Sequence, residues 1–244
     1  MAISNGSFNK KWRFLLYYIF AIISYMNEIY FIFHTLIIIF FTLGALFIGK
    51  EALIAITCLQ CVLANLFVLK QITLFGLDVT CSDVFVVGGI LGLNLLQEYY
   101  GKQITKKAIW ISFFIMIFYL VMSQFQIFYI PNSYDNTSSM FTFMFSFMPR
   151  LTLASIFGYF VVQQFDCWLY GFFKKIFLDE KLVFRNACSI LCTQFLDTIL
   201  FSIMGLYGTI ESIFNVIFFS YLIKVIVIFL LTPFIGLSKK IMKE

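Results

Sequence analysis

The sequence predicts an all-α protein, a polytopic bundle of helices that cross a lipid bilayer. Of its 244 residues, 62% are apolar and only 12% are charged, whereas soluble domains average about half and about a quarter. The apolar residues come in runs close to the roughly 20 residues that a helix needs to span the hydrocarbon core. The 34 Phe and three Pro fit lipid-facing helices better than a barrel, whose strands would alternate polar and apolar residues.

Eight apolar segments predict crossings, at residues 14–27, 29–49, 52–69, 81–97, 107–129, 149–170, 186–207 and 213–236. The first is short, and only Asn27 and Glu28 separate it from the second. We therefore interpret it as one arm of a tight hairpin, as an interfacial helix or as a dispensable extension, which gives seven or eight crossings. On this division, residues 1–28 form an N-terminal extension or extra helix, and residues 29–244 form the membrane domain.

The distribution of Lys and Arg predicts the orientation, because cytoplasmic loops hold the excess of these residues. With both termini inside, fourteen of the 17 fall on the inner side, Lys70 and Arg150 fall on the outer side, and Lys224 lies within the last span. This division predicts a multi-pass protein of the bacterial inner membrane with a cytoplasmic C-terminus. The polar stretch Pro131 to Ser139 then faces outward, and the Phe-rich residues 140–148 after it are expected to lie along the membrane interface.

Composition and motifs argue against several other classes. The net charge of +5 comes from short basic clusters between apolar runs, and these clusters form no continuous basic face. The pattern indicates residues that fix the orientation of the spans in the membrane, not a nucleic-acid-binding surface. The six Cys lie in or beside apolar segments, so we interpret them, including the CxxC pair Cys58 and Cys61, as packing residues. The chain has one histidine and none of the hydrolase, zinc-peptidase or phosphate-loop motifs. We therefore expect no enzyme activity, no metal and no cofactor.

Polar residues inside the predicted spans are the candidates for a binding site, because a charge in hydrocarbon costs several kcal/mol unless it faces a partner or a water-filled cavity. Two spans place a Gln three residues before an Asp, which puts amide and carboxylate on one helix face. Asp197 and Lys224 both lie far from the ends of their spans, so we expect them to pair with each other or to contact substrate. For Arg185 and Asp166, a purely structural pairing between helices stays open. The candidates are Asn94, Glu98, Arg150, Gln163, Asp166, Arg185, Gln194, Asp197 and Lys224.

Five stretches of the chain together resemble the queuosine-precursor transporter family, also called the vitamin-uptake-transporter family of bacterial membrane proteins. The resemblance covers about residues 30–240. In two places the chain departs from the family pattern: Asn94 stands where the family usually has Asp, and Val86-Val87 where it has Phe-Pro, whereas Glu98, Asp166 and Asp197 match it. The stretches are Asn65 to Gly76 (NLFVLKQITLFG), Asn94 to Lys107 (NLLQEYYGKQITKK), Arg150 to Asp166 (RLTLASIFGYFVVQQFD), Arg185 to Thr198 (RNACSILCTQFLDT) and Tyr221 to Pro233.

The resemblance implies a six-span unit at residues 52–236 and uptake of 7-deazaguanines such as preQ0, preQ1 or queuine for tRNA modification. Asp197 or Glu98 would accept hydrogen bonds from the guanine-like edge of this small, purine-like base, with Gln and Asn reading the rest of the edge and aromatic rings stacking on it. The chain has no ATP-binding motif, which favours a secondary transporter. A membrane substrate-binding subunit of an ATP-driven importer, and a membrane enzyme or assembly factor, remain alternatives. The oligomeric state, including a homo-oligomer, stays open.

Overall fold

The computed structural model describes the backbone of residues 5–176, 182–210 and 212–241. Among the side chains it describes those of residues 26–76, 78–162, 165, 168, 169, 172, 191–210, 212–226, 228 and 229. The protein is 83% helical, which confirms the predicted all-α bundle. Its elements are α1 (Asn5–Ile48), α2 (Lys50–Phe67), β1 (Gln71–Leu74), β2 (Leu77–Thr80), α3 (Asp83–Phe128), α4 (Ser138–Ser146), α5 (Met148–Ile176), α6 (Leu182–Phe201), a π-helical turn (Ser202–Leu206) and α7 (Ile213–Ile241).

The N-terminal part of the chain forms one helix rather than two. α1 runs without interruption through Asn27 and Glu28 to Ile48, so the interpretation of residues 14–27 as one arm of a tight hairpin is wrong. A Gly or Pro at the junction would have been needed to break the helix there, and the junction has neither. α1 reverses into α2 at Gly49, whose φ of 134° lies outside the range that other residues favour.

α3 consists of two antiparallel arms that meet at Gly101. This residue has φ 82° and ψ 166°, a conformation that is essentially limited to glycine. Gly92 in the first arm contacts Thr57, while the Ala108 carbonyl in the second arm lies 3.9 Å from the sulfur of the next residue, Cys58. A straight helix would separate Gly92 from Ala108 by about 24 Å. The chain therefore turns back at Gly101, and the predicted spans 81–97 and 107–129 are separate crossings.

A short β-hairpin between α2 and α3 was not predicted. Leu74 pairs with Leu77, and the two residues between them, Phe75 and Gly76, have φ values of 52° and 76°, as in a type I′ turn. The carboxylate of Glu28, from α1, accepts a hydrogen bond of 2.6 Å from the Phe75 amide. α1 thus stabilises a turn whose first central residue is not the glycine or asparagine that such turns prefer.

The remaining helices continue the antiparallel order. Gln124 near the end of α3 donates a hydrogen bond of 2.9 Å to the Phe145 carbonyl in α4. Arg150, at the start of α5, donates bonds of 2.7 Å to the carbonyls of Met204 and Tyr207, at the far end of α6 and its π-helical turn. These two bonds satisfy carbonyls that a helix terminus leaves without internal partners.

The outer surface of the bundle is that of a multi-pass membrane protein. Large apolar side chains are exposed all around it, including Trp110, Phe114 and Phe214, which are 70%, 74% and 81% exposed. Among the described residues, four segments are long and apolar enough to cross a membrane, and two shorter apolar helices accompany them. The long segments are Met26–Ile48, Lys50–Phe67, Asp83–Phe128 and Ser138–Val162, and the short ones are Leu191–Leu206 and Ile213–Ile226.

Counting the two arms of α3 separately, the described chain has seven long antiparallel arms. Because seven is odd, residues 5 and 241 lie at opposite ends of the bundle. This geometry corrects the expectation that both termini lie on the same side. The backbone of Lys10, Lys11 and Arg13 belongs to the continuous α1, so these residues join Lys70 and Arg150 on the hairpin side. Among the Lys and Arg whose backbone is described, nine then lie toward the Gly49 and Gly101 end, five lie on the hairpin side, and Lys224 lies between them.

Candidate functional site

A cavity of about 370 Å³ lies among α2, the end of the hairpin, both arms of α3, and α5, α6 and α7. It runs from Thr80, Ser82 and Asp83 at the hairpin end toward Lys102 and Lys106 near the Gly101 bend. Four of the sequence-predicted site residues line it: Asn94, Gln194, Asp197 and Lys224. These residues come from three separate helices, so only the tertiary fold brings them together.

Lys224 and Asp197 form the predicted ion pair across α6 and α7. The Lys224 Nζ lies 3.3 Å from Asp197 Oδ2 and donates a second hydrogen bond of 3.0 Å to Thr198 Oγ1. Lys224 is 4% exposed, whereas the side chain of Asp197 keeps 27% of its surface accessible. The lysine is therefore fixed inside the bundle, and the aspartate remains open to the cavity.

Asp83 is a third charged member of this cluster, and it was missed in the sequence. It is the first residue of α3 and is 4% exposed. Its carboxylate lies close to the Ser220 hydroxyl and interacts electrostatically with Lys224 and Asp197. From sequence, an Asp at a helix start indicates a favourable interaction with the helix dipole, so nothing local distinguished Asp83 from a surface residue.

Two residues that line the cavity each carry a buried acceptor atom without a hydrogen-bond partner: Asp83 Oδ2 and Gln194 Oε1. Buried polar atoms are almost always paired in folded proteins, so an unpaired one requires an explanation. The other buried unpaired side-chain atoms in the described part of the chain belong to residues that do not line this cavity. Because the two oxygens are themselves buried, a ligand with N–H donors in the cavity would reach them only after the Asp83 and Gln194 side chains rotate.

The rest of the lining combines hydrogen-bonding groups with aromatic rings. Ser155 of α5 donates a hydrogen bond of 2.8 Å to Asn65 Oδ1 of α2. The rings of Phe113 and Tyr159 meet edge to face at 5.0 Å, and Phe85 also borders the cavity. A flat heterocycle could therefore stack on a ring while its polar edge reaches the acceptors.

The other predicted site residues lie elsewhere. Glu98 is exposed and is not part of the cavity lining. Arg150 is also outside the lining, because its guanidinium caps the π-helical turn. The side chains of Gln163, Asp166 and Arg185 lie outside the described residues.

Cys58 has packing contacts, and Cys61 lines the cavity. Ser112 Oγ lies 3.2 Å from the sulfur of Cys58, which is buried between α2 and the second arm of α3. Cys58, Cys61, Cys81 and Cys192 are free thiols. Within the described residues, no group of three or more His, Cys, Asp or Glu side chains could hold a metal ion.

Comparison with known sequences decides the class of the protein. Residues 83–238 match the family described as "Putative vitamin uptake transporter". The chain belongs to the vitamin uptake transporter family. It is also 30% identical over 212 residues to the "Probable queuosine precursor transporter" of Bacillus subtilis (strain 168), an alignment that covers 86% of this chain and 91% of that protein. No solved structure matches the chain.

Membership in this family makes the chain a transporter and not an enzyme, and it confirms the resemblance predicted from the sequence motifs. The matched residues begin at Asp83 and include the first arm of α3 and all of α5 and α6. Most of the charged and amide groups of the cavity therefore lie in the part shared with this transporter family.

Proposed function

We propose that the protein imports queuosine precursors, 7-deazaguanines such as preQ0, preQ1 or queuine, across the bacterial inner membrane for tRNA modification. The name of the Bacillus subtilis relative supports this substrate class. The principal support from the geometry is the cavity lined by Asn94, Gln194, Asp197 and Lys224, in which the Asp197 carboxylate stays accessible.

The donor pattern of the substrate fits these acceptors. A guanine-like edge carries a ring N–H next to an exocyclic amine, and a carboxylate can accept a hydrogen bond from each. Asp197 stays accessible from the cavity while its Oδ2 holds Lys224. We propose that Asp197 and Gln194 read this edge, that Asn94 contacts the rest of the polar edge, and that Phe113 or Tyr159 stacks on the ring.

The orientation follows from the basic residues. Nine of the fifteen Lys and Arg with a described backbone belong to the Gly49 and Gly101 end of the bundle by their positions along the antiparallel chain, and this end is cytoplasmic under the positive-inside rule. The C-terminus would then be cytoplasmic and the hairpin would face outward. Because the sequence has no ATP-binding motif, we propose a secondary transporter driven by a gradient.

Uptake in cells that cannot synthesise the deazaguanine base tests the substrate class. We expect expression of the protein to restore queuosine in tRNA when preQ0, preQ1 or queuine is supplied. Cells that carry an Asp197→Asn variant at equal membrane abundance are the matched control. No restoration with any of the three compounds would contradict the proposal.

Purified protein in liposomes tests the transport class. We expect uptake of labelled substrate that depends on an ion gradient across the vesicle membrane and needs no other protein. Uptake only after addition of a co-purified ATPase would instead identify the chain as the substrate-binding subunit of an ATP-driven importer.

A further inference from the structure

The buried part of the cavity lining holds more acidic than basic side chains. Two carboxylates, Asp83 and Asp197, share the single ammonium of Lys224. Lys102 and Lys106 are the other charged residues in the described lining, and both are exposed near the Gly101 bend. With both carboxylates ionised, the described wall carries one negative charge more than its buried cation compensates.

Lys224 is paired mainly with Asp197. Its Nζ contacts Asp197 Oδ2 at 3.3 Å and Thr198 Oγ1 at 3.0 Å, whereas its interaction with Asp83, which lies beside the neutral Ser220 hydroxyl, is electrostatic only. Asp83 is 4% exposed, and its Oδ2 has no partner. A buried charge that has no ion-pair partner in contact with it is costly, and a cation that enters the cavity beside Asp83 lowers that cost.

We propose that Asp83 forms a cation subsite, which takes the protonated amine on the side arm of a 7-deazaguanine substrate. This inference rests on the proposed function and narrows it to the positively charged members of the substrate class. Asp197 and Gln194 would hold the ring edge, while the charged arm points to the hairpin end of the cavity, where Asp83, Ser82 and Thr80 lie. The basic residues Lys102 and Lys106 lie near the Gly101 bend, so they disfavour the opposite placement of the arm.

Two ligands that share the same ring but differ in the charge of the side arm test how much the charge contributes to affinity. Equilibrium binding to the purified full-length protein should be measured with the aminomethyl compound, which is cationic at neutral pH, and with the cyano compound, which is neutral. We expect the amine to bind about tenfold or more tightly, as for a hydrogen bond that involves a charged group. N-acetylation of the amine should abolish this advantage without any change to the protein.

The Asp83→Asn variant tests the assignment to this residue. We expect it to lose about tenfold to hundredfold in affinity for the amine while its affinity for the cyano compound changes less than about threefold. Binding of the cyano compound also shows that the variant is folded. Asp78→Asn is the matched control, because Asp78 lies on the same hairpin side but is exposed, bonds to Thr73 and does not line the cavity.

The outcomes separate this inference from the proposed function. If the wild-type protein binds amine and nitrile equally, or if Asp83→Asn weakens both to the same extent, the cation subsite is refuted while the substrate class stands. If the wild-type protein binds neither compound, the proposed function itself fails.

Discussion

The Lys224 side chain is surrounded by the carboxylate of Asp197, the hydroxyl of Thr198 and, within electrostatic range, the carboxylate of Asp83. Removing Asp197 and removing Lys224 leave different charges without a partner. Loss of Asp197 leaves the ammonium with one carboxylate nearby. Loss of Lys224 leaves two carboxylates without a buried cation among their described neighbours.

For Asp197→Asn, we expect a loss of substrate affinity of about 30-fold to 1000-fold, because an amide donor replaces an acceptor that faces the substrate N–H. The melting temperature should fall only slightly, since Asp83 remains as a counter-charge. Both quantities can be measured on the same purified sample. A large loss of thermal stability with near-normal affinity would show that Asp197 only holds the helices together.

For Lys224→Met, we expect a loss of about 3 kcal/mol or more in the free energy of unfolding, because removing one partner leaves buried charge uncompensated. Adding Asp83→Asn to this variant should restore part of the lost stability by removing one of the two repelling carboxylates. Lys50→Met is the control, because the Lys50 pair with Glu51 is exposed and should leave the melting temperature unchanged. Equal melting temperatures for the two lysine variants would contradict the buried cluster.

The sequence identified Asp197, Gln194, Asn94 and Lys224 because a charge or amide far inside an apolar run is costly and therefore informative. Asp83 could not be recognised in this way, since it stands at the beginning of an apolar run, where carboxylates are common. Its burial depends on the hairpin and on α7, two elements distant in sequence or unpredicted. Arg150 gave the same local signal as Asp197, yet its partners are backbone carbonyls of another helix.

At the scale of the elements, α2 and the first arm of α3 approach closely along a line of small residues. A Cβ on Gly92 would overlap Thr57 Oγ1. We therefore expect Gly92→Ala to lower the melting temperature clearly, because α2 would have to move away from α3. Gly44→Ala, in the same bundle, has no atom within 4 Å of the added methyl group and should be neutral or slightly stabilising, as alanine favours helix. Similar thermal shifts for both variants would argue against the close contact.

Within α1, the described hydrogen bonds to the rest of the bundle come from Asn27 and residues after it. Asn27 donates a hydrogen bond to the Thr73 carbonyl, and Glu28 accepts one from Phe75, while further along α1 Thr42 accepts a bond from Gln60 of α2. We expect deletion of residues 1–25 to leave uptake largely intact and deletion of residues 1–51 to abolish it. The second expectation differs from the sequence-based expectation that residues 52–236 form the transport unit. Uptake by the protein without residues 1–51, at normal membrane abundance, would show that residues 52–236 are sufficient.

The helices were predictable because long apolar runs have few alternatives in a membrane. The break at Gly101 was also visible, since residues 98–107 combine Glu, Lys and Gly between two apolar runs. The continuity of α1 was not, because Asn27 and Glu28 are polar residues whose partners lie in the hairpin, 46 and 47 positions away. The hairpin itself lacked the usual Asn-Gly or Asp-Gly turn signal and uses Phe75-Gly76 instead.

At the scale of the whole molecule, the seven antiparallel arms of the described chain predict that residues 5 and 241 face opposite compartments. In a variant without native cysteines, we expect Asp135→Cys and Asn5→Cys to react with an impermeant thiol reagent from outside intact cells, and Lys102→Cys to react only after permeabilisation. Protection of Asn5→Cys alone would mean that residues 5–25 cross the membrane as an eighth span. Reaction of Lys102→Cys in intact cells would invert the orientation.

The turn at Gly101 also has a consequence for biosynthesis. The two arms of α3 pack on one level of α2, through Gly92 and Ala108, so the pair can enter the lipid together once the ribosome has completed the second arm. The polar residues around the bend, with Lys102, Lys106 and Lys107, would then never pass through the translocon. A residue other than glycine at position 101 would disfavour φ 82° and would hinder this insertion step. We expect such a change to reduce the yield of inserted protein more than it reduces the stability of the protein that has been inserted.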